Sequence, residues 1–305
     1  MKKLLGLSVA IAALIAPALP ASANVACGGF TSASGQCRST TTTIGGTSYN
    51  ADWYIPNGTA SALMVLEHGL TRRCANLRNT SKAIMERGVM IVCFNTSLAG
   101  GNAAFGRALG DAMASRTLTP PNGATLPTKY IVGGHSAGGQ FATVVGARLV
   151  SRGYPEFRGA VMLDPVAGDG FSANLAAFGN RPVLTVAARS NAFNAFNNAF
   201  AALRGMPGDY PGVQLTYAGY VKGIPYGGSC HTDAEGENGD ALANLAVACS
   251  PNASNVARLR EFASVWAADL AAGTQTAGYY CQSGTCGVRV REMVNQRQAA
   301  LIPGS

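Results

Sequence analysis

Gly134-His135-Ser136-Ala137-Gly138 constrains this chain more than any other stretch, because the apolar run Tyr130-Ile131-Val132 leads straight into it and an amphipathic segment leads out. The pattern predicts a strand, a sharp turn and a helix. Glycines flanking the serine let the backbone fold tightly enough to lift a hydroxyl clear of a sheet, with the next backbone N–H aimed at the same point. With 38 glycines in 305 residues, the five-residue pattern arises by chance about 0.3 times, so its surroundings must decide its meaning.

Those surroundings read as alternating strands and helices. Short apolar runs at 64–67, 90–94, 130–133, 159–163, 183–187 and 213–217 predict buried parallel strands, and helix-like segments separate most of them. Residues 40–54 alternate enough to supply early antiparallel strands. Residues 255–271 predict a closing helix with Val256, Leu259, Phe262 and Trp266 on one stripe. The expected class is α/β: an α/β-hydrolase fold, with a mostly parallel central sheet flanked by helices. Only eighteen residues separate Asp164 from Val183, too few for a large lid. The cleft is therefore expected to be open.

A serine hydroxyl is a poor nucleophile until a base takes its proton, and the chain has three histidines, His68, His135 and His231. In this fold class the triad runs serine, acid, histidine, which leaves His231, in a glycine-rich loop after the 213–217 run. Acids between Ser136 and His231 are Glu156, Asp164, Asp169 and Asp209. Sites in open α/β sheets form at the carboxyl ends of strands, and Glu156 and Asp209 each precede a strand. Asp164 closes the 159–163 strand and is the expected acid, with Asp169 as the alternative. The expected oxyanion donors are the N–H groups of Ala137 and of Leu70, which follows the apolar run ending in Glu67-His68-Gly69. His68 reads as a packing residue beneath that loop.

Residues Gly134-His135-Ser136-Ala137-Gly138-Gly139 together with Leu163-Asp164-Pro165-Val166-Ala167-Gly168 resemble chlorophyllase and its secreted bacterial relatives. In those proteins a serine elbow is followed about thirty residues later by an Asp-Pro-Val stretch carrying the triad acid. The resemblance implies nucleophile and acid roles for Ser136 and Asp164. A looser similarity, over about residues 52–270, extends to cutinase-like polyester hydrolases and platelet-activating-factor acetylhydrolases, through segment order and Gly69-Leu70-Thr71-Arg72. Chlorophyllases generally carry arginine where Ala137 stands and glycine where Cys230 stands, which argues against chlorophyll as the substrate. Cutinase-like polyester hydrolases place the acid after the next strand. Here that strand leads into Arg189-Ser190-Asn191, with no carboxylate.

Residues 1–23 have the basic start, apolar stretch and Ala21-Ser22-Ala23 ending of a secretory signal peptide. Residues 24–305 are then expected to form a single domain, with a disulfide-closed C-terminal appendage over about 273–305. All eight cysteines follow the leader, and an even number in an exported chain points to disulfides. Proximity favours Cys27 with Cys37, Cys230 with Cys249 and Cys281 with Cys286, leaving Cys74 and Cys93 on or beside strands expected to be neighbours. No Cys-x-x-Cys pair or histidine cluster points to a metal, and no cofactor is expected. The formal charge of +8 includes a group at Arg72, Arg73, Arg78, Lys82 and Arg87 that reads as a solvated face. No nucleic-acid motif accompanies it.

The expected function is a secreted serine carboxylic-ester hydrolase, acting as a monomer through an acyl-enzyme, without cofactor, nucleic acid or stable membrane anchor. An open cleft favours bulky, polymeric or lipid-like esters. Phe193, Phe196 and Phe200 could form an aromatic wall, although their spacing favours helix packing. An amidase or peptidase using the same triad, and a non-catalytic secreted binding protein, are the rival readings.

Overall fold

Side chains along a strand alternate between two faces, and the central runs use this to fill two cores. Leu63, Val65, Tyr130 and Val132 pack into one, while Ala62, Met64, Leu66 and Ile131 pack into the other. A computed structural model describes residues 24–207, 211–282 and 284–302. The signal-peptide expectation for residues 1–23, and Asp209, lie outside the described residues.

The strands are β1 (Val25–Ala26), β2 (Gly35–Ile44), β3 (Thr47–Pro56), β4 (Ala62–Glu67), β5 (Val89–Asn95), β6 (Tyr130–His135) and β7 (Phe157–Leu163). They continue with β8 (Val183–Ala187), β9 (Gly212–Leu215), β10 (Tyr217–Val221), β11 (Ile224–Gly228), β12 (Cys281–Gln282), β13 (Thr285–Cys286) and β14 (Ala299–Leu301). The helices are α1 (Arg78–Met85), α2 (Ala103–Ala114), α3 (Ala137–Ser151), α4 (Phe171–Ala176), α5 (Phe200–Arg204), α6 (Ala241–Ala246), α7 (Ala253–Ala272) and α8 (Val288–Asn295).

Among the described residues ten strands form one sheet, in the order β1-β2-β3-β5-β4-β6-β7-β8-β9-β14. From β5 to β9 all neighbours are parallel, and antiparallel strands close both edges. Helices α2, α3, α4 and α5 cover one face through Phe105, Phe141, Phe171 and Phe200. Helices α1, α7 and α8 cover the other through Ile84, Phe262, Trp266 and Met293. The predicted stripe on α7 is buried, the Asn252 side chain caps its first turn, and Gly273 ends it at a φ of 75°. Among the described residues no large insertion interrupts the sheet. The chain has the α/β-hydrolase fold. Among the described residues no helix is long and apolar enough to cross a membrane.

Two expectations change. The 213–217 run is not one strand: β9 stops at Leu215, and Tyr217 starts the separate β10–β11 hairpin. Thr216 lies between them, and its N–H and hydroxyl continue the pairing with the C-terminal segment by donating to Gln298 O and Arg297 O, at 2.9 and 2.8 Å. The C-terminal stretch also does more than hang from the body. After the β12–β13 hairpin and α8 it returns to pair β14 with β9.

The cysteines pair as proximity suggested: Cys27–Cys37, Cys74–Cys93, Cys230–Cys249 and Cys281–Cys286.

Candidate active site

The serine sits where β6 turns into α3. Ser136 has φ 56° and ψ −122°, and a bend this tight requires backbone to pass close to backbone. A Cβ at Gly134 would run into the Gly138 backbone, and one at Gly138 into the Glu67 carbonyl. Thr71 and Asp164 also take positive φ, 60° and 44°, so three non-glycine residues around one cleft hold a conformation that costs L-residues energy.

Asp164 follows β7 and is buried. Its Oδ2 lies 2.6 Å from His231 Nδ1. Its Oδ1 accepts hydrogen bonds from Ala188 N–H at 3.0 Å and Asn194 Nδ2 at 3.2 Å. Asn194 is wholly buried; the sequence reading missed it, and the only local signal was the Asn191-x-x-Asn194 capping pattern. Asp169 is exposed, and its backbone carbonyl accepts from Gln140 Nε2 at 2.8 Å. Glu156 pairs with Arg158 at the opposite edge of the sheet.

His231 opens a short 3-10 turn, His231–Ala234, after the β10–β11 hairpin. Ser136 and His231 line one cavity of about 580 Å³. Among the described residues no hydrogen bond joins the serine hydroxyl to the imidazole; such bonds often tighten only with substrate present. Leu70 and Ala137 line the same cavity. Gly69 lies against the serine, where an added Cβ would be 3.2 Å from Ser136 Cβ. As first residue of α3, Ala137 has an N–H without a helical acceptor.

The other two histidines are buried. His68 Nδ1 lies 2.8 Å from Gly69 O, and burial lowers its pKa. His135 donates from Nε2 to the carbonyl oxygen of His231 at 2.8 Å. Burial first, and the neighbouring His231 second, hold His135 well below the usual histidine range. Beneath the elbow, burial pushes the Glu67 carboxyl well above the usual carboxylate range, although it accepts from Phe94 N–H at 2.8 Å.

Two further expectations are corrected here. Arg72 does not belong to a solvated face: its guanidinium donates to both Glu235 oxygens and to Asp240. The phenylalanines share no helix face. Phe193 lines the cavity, Phe196 is 73% exposed and Phe200 enters the core. Leu242, Ala243, Ala246 and Val247, on and just after α6, form the cavity's far wall. Among the described residues no cluster of three or more His, Cys, Asp or Glu could hold a metal ion.

A scan against models of known families finds no match, and no curated protein matches. Solved structures do. A cold-adapted esterase from an Arctic intertidal metagenomic library aligns with a TM-score of 0.44 at 15% identity, over 62% of this chain and 86% of that one. The esterase domain of a Rhodothermus marinus protein aligns with a TM-score of 0.51 at 15% identity, over 76% of this chain and 98% of that one. That likeness is one of fold.

Proposed function

We propose that this protein is a secreted serine carboxylic-ester hydrolase. Ser136 attacks the ester carbonyl while His231 takes its proton and returns it to the departing alcohol. Asp164 orients the imidazole through Nδ1 and stabilises it when charged. The N–H groups of Leu70 and Ala137 receive the developing oxyanion. Water then cleaves the acyl-enzyme by the same route, and no cofactor or metal enters the reaction. The observation that carries this reading is the 2.6 Å pairing of buried Asp164 with His231, which lines one cavity with Ser136. A carboxylate on Nδ1 selects the tautomer that leaves Nε2 as the base.

Bulky, lipid-like or polyester substrates fit the cavity's character. Its walls carry Leu70, Val166, Phe193 and Leu242, and its volume lies within the range usual for ligand sites. Leu242 and Leu245 on α6 are 79% and 77% exposed, available to the parts of an apolar substrate that overhang the mouth. Four disulfides support export, with residues 1–23 as the leader and the remainder acting as one monomeric catalytic unit.

The test combines a fluorophosphonate probe with p-nitrophenyl esters of increasing chain length, an aromatic polyester, a lipid emulsion and an anilide. Labelling at Ser136 and turnover rising with acyl length are expected, with the anilide slow. A chain that takes no label and cleaves no ester is not this enzyme.

A further inference from the structure

Four segments meet at the site, and three of them, carrying Leu70, Ser136 and Asp164, leave the main sheet. The segments after β4 and β6 leave adjacent parallel strands in the register Glu67↔Gly134, so Leu70 and Ser136 inherit their spacing from the ladder. His231 follows a hairpin outside that sheet. Asp164 holds its imidazole, but the distance of its loop from the Leu70 and Ser136 segments needs a further tie.

We propose that Glu235 and Arg72 are positioning residues for the reaction inferred above, locking the Leu70 loop to the His231 loop while His135 grips the His231 backbone from below. Arg72 stands two residues after Leu70, and its backbone N–H closes a turn onto Gly69 O at 3.1 Å. Glu235 stands four residues after His231 and closes a turn onto Thr232 O at 3.0 Å. Between them, Arg72 Nε donates to Glu235 Oε1 at 2.7 Å and Nη2 donates to Oε2. The remaining guanidinium end donates to Asp240 Oδ2 at 2.7 Å, and Asp240 in turn caps α6 by accepting from Ala243 N–H. One arginine thus ties the oxyanion segment, the histidine loop and the cavity wall together.

The side chains of Glu235 and Arg72 are 1% and 13% exposed. A pair so buried loses much of its attraction to desolvation and is a poor device for stability alone. Its two parallel hydrogen bonds do fix distance and orientation, which a lysine could not do. His135 adds a third restraint. It neighbours Ser136, donates to His231 O at 2.8 Å and lies with its ring centroid 4.7 Å from that of His231.

This inference rests on the esterase reading, so its test carries one readout that needs no substrate. Glu235→Gln keeps the volume and removes the charge, and Arg72→Lys keeps the charge and removes the fork. Each is expected to lower kcat about a hundredfold, the order of loss from a misplacement near 1 Å, with KM within about twofold of wild type. The double variant Arg72→Met with Glu235→Leu should recover thermal stability but not kcat. In parallel, the downfield proton resonance of His231 Nδ1–H on Asp164 should shift or broaden in Glu235→Gln and vanish in Asp164→Asn. Full kcat in both single variants, recovery of kcat in the double variant, or an unchanged resonance in Glu235→Gln would each overturn the proposal. A wild-type chain inert to esters and phosphonate whose resonance still responds to Glu235→Gln would sink the esterase reading and leave the positioning role standing.

Discussion

Ser136 and His231 face one cavity but are held by different physics. The serine elbow is anchored by β4, β6 and β7, whose apolar side chains are almost wholly buried, and by glycines that let α3 start directly against β4. The histidine loop runs outside the main sheet, and α6 beyond it buries no residue. A disulfide, a buried ion pair and a few hydrogen bonds hold it instead. Regions with few apolar contacts open at lower cost than a sheet does, so the His231 loop should fail before the Ser136 scaffold.

The largest expected effect removes chemistry while leaving both regions in place. Ser136→Ala should lower kcat by about a millionfold while the melting temperature stays near wild type, because the hydroxyl supplies covalent chemistry and little packing. A variant retaining a tenth of native kcat would exclude Ser136 as nucleophile.

Next, Asp164→Asn should cost about three to four orders of magnitude in kcat by unsettling the His231 tautomer. Asp169→Asn, altering an exposed side chain, should stay within about twofold of wild type by the small effect usual at such sites. If steady-state kinetics gave the reverse ranking, the acid would be Asp169.

A sharper probe of the two regions is graded reduction. Opening Cys230–Cys249 should lower ester hydrolysis by about tenfold through loss of alignment, before far-UV circular dichroism reports any loss of the sheet. Coincident loss of both signals, or full activity in the fully reduced chain, would break the contrast between the regions.

The smallest effect concerns Asp233 in the histidine loop. It accepts from Cys230 N–H at 2.8 Å, yet burial raises its pKa from the ordinary 3.8 to about 7. A folded pKa above the unfolded one means that the folded chain binds this proton more tightly. Its contribution is therefore fully present below about pH 4 and is lost as pH rises towards 7. The melting temperature of wild type relative to Asp233→Asn should fall across that window. A flat or rising difference, measured by calorimetry, would contradict the assignment.

Much of the fold was legible because buried parallel strands announce themselves as short apolar runs. Five of the six predicted runs each lie wholly within one strand, and the helix at 255–271 formed as α7. The exception, 213–217, failed because apolar alternation continues through Thr216 although pairing with β8 ends at Gln214 and Tyr217 pairs instead with Gly228 in the β10–β11 hairpin. Periodicity carries no information about which strand lies alongside. The Phe193, Phe196 and Phe200 spacing misled for a related reason: three- and four-residue intervals suit a helix, but Asn191 and Asn194 cap a single turn and send the three rings in different directions.

At the site, local chemistry was readable and distant pairing was not. The serine elbow is written in consecutive residues, since its glycines answer a contact made within the same turn. The order of serine, acid and histidine left His231 among three histidines, and strand ends favoured Asp164, with Asp169 as alternative, among four intervening acids. Glu235 and Arg72 are 163 positions apart. Each alone resembles an ordinary solvated charge, and Asn194 an ordinary polar turn residue. Only the tertiary structure could make them a clamp and a brace, because burial and bidentate geometry belong to the pair and arise when three loops are brought to the same end of the sheet.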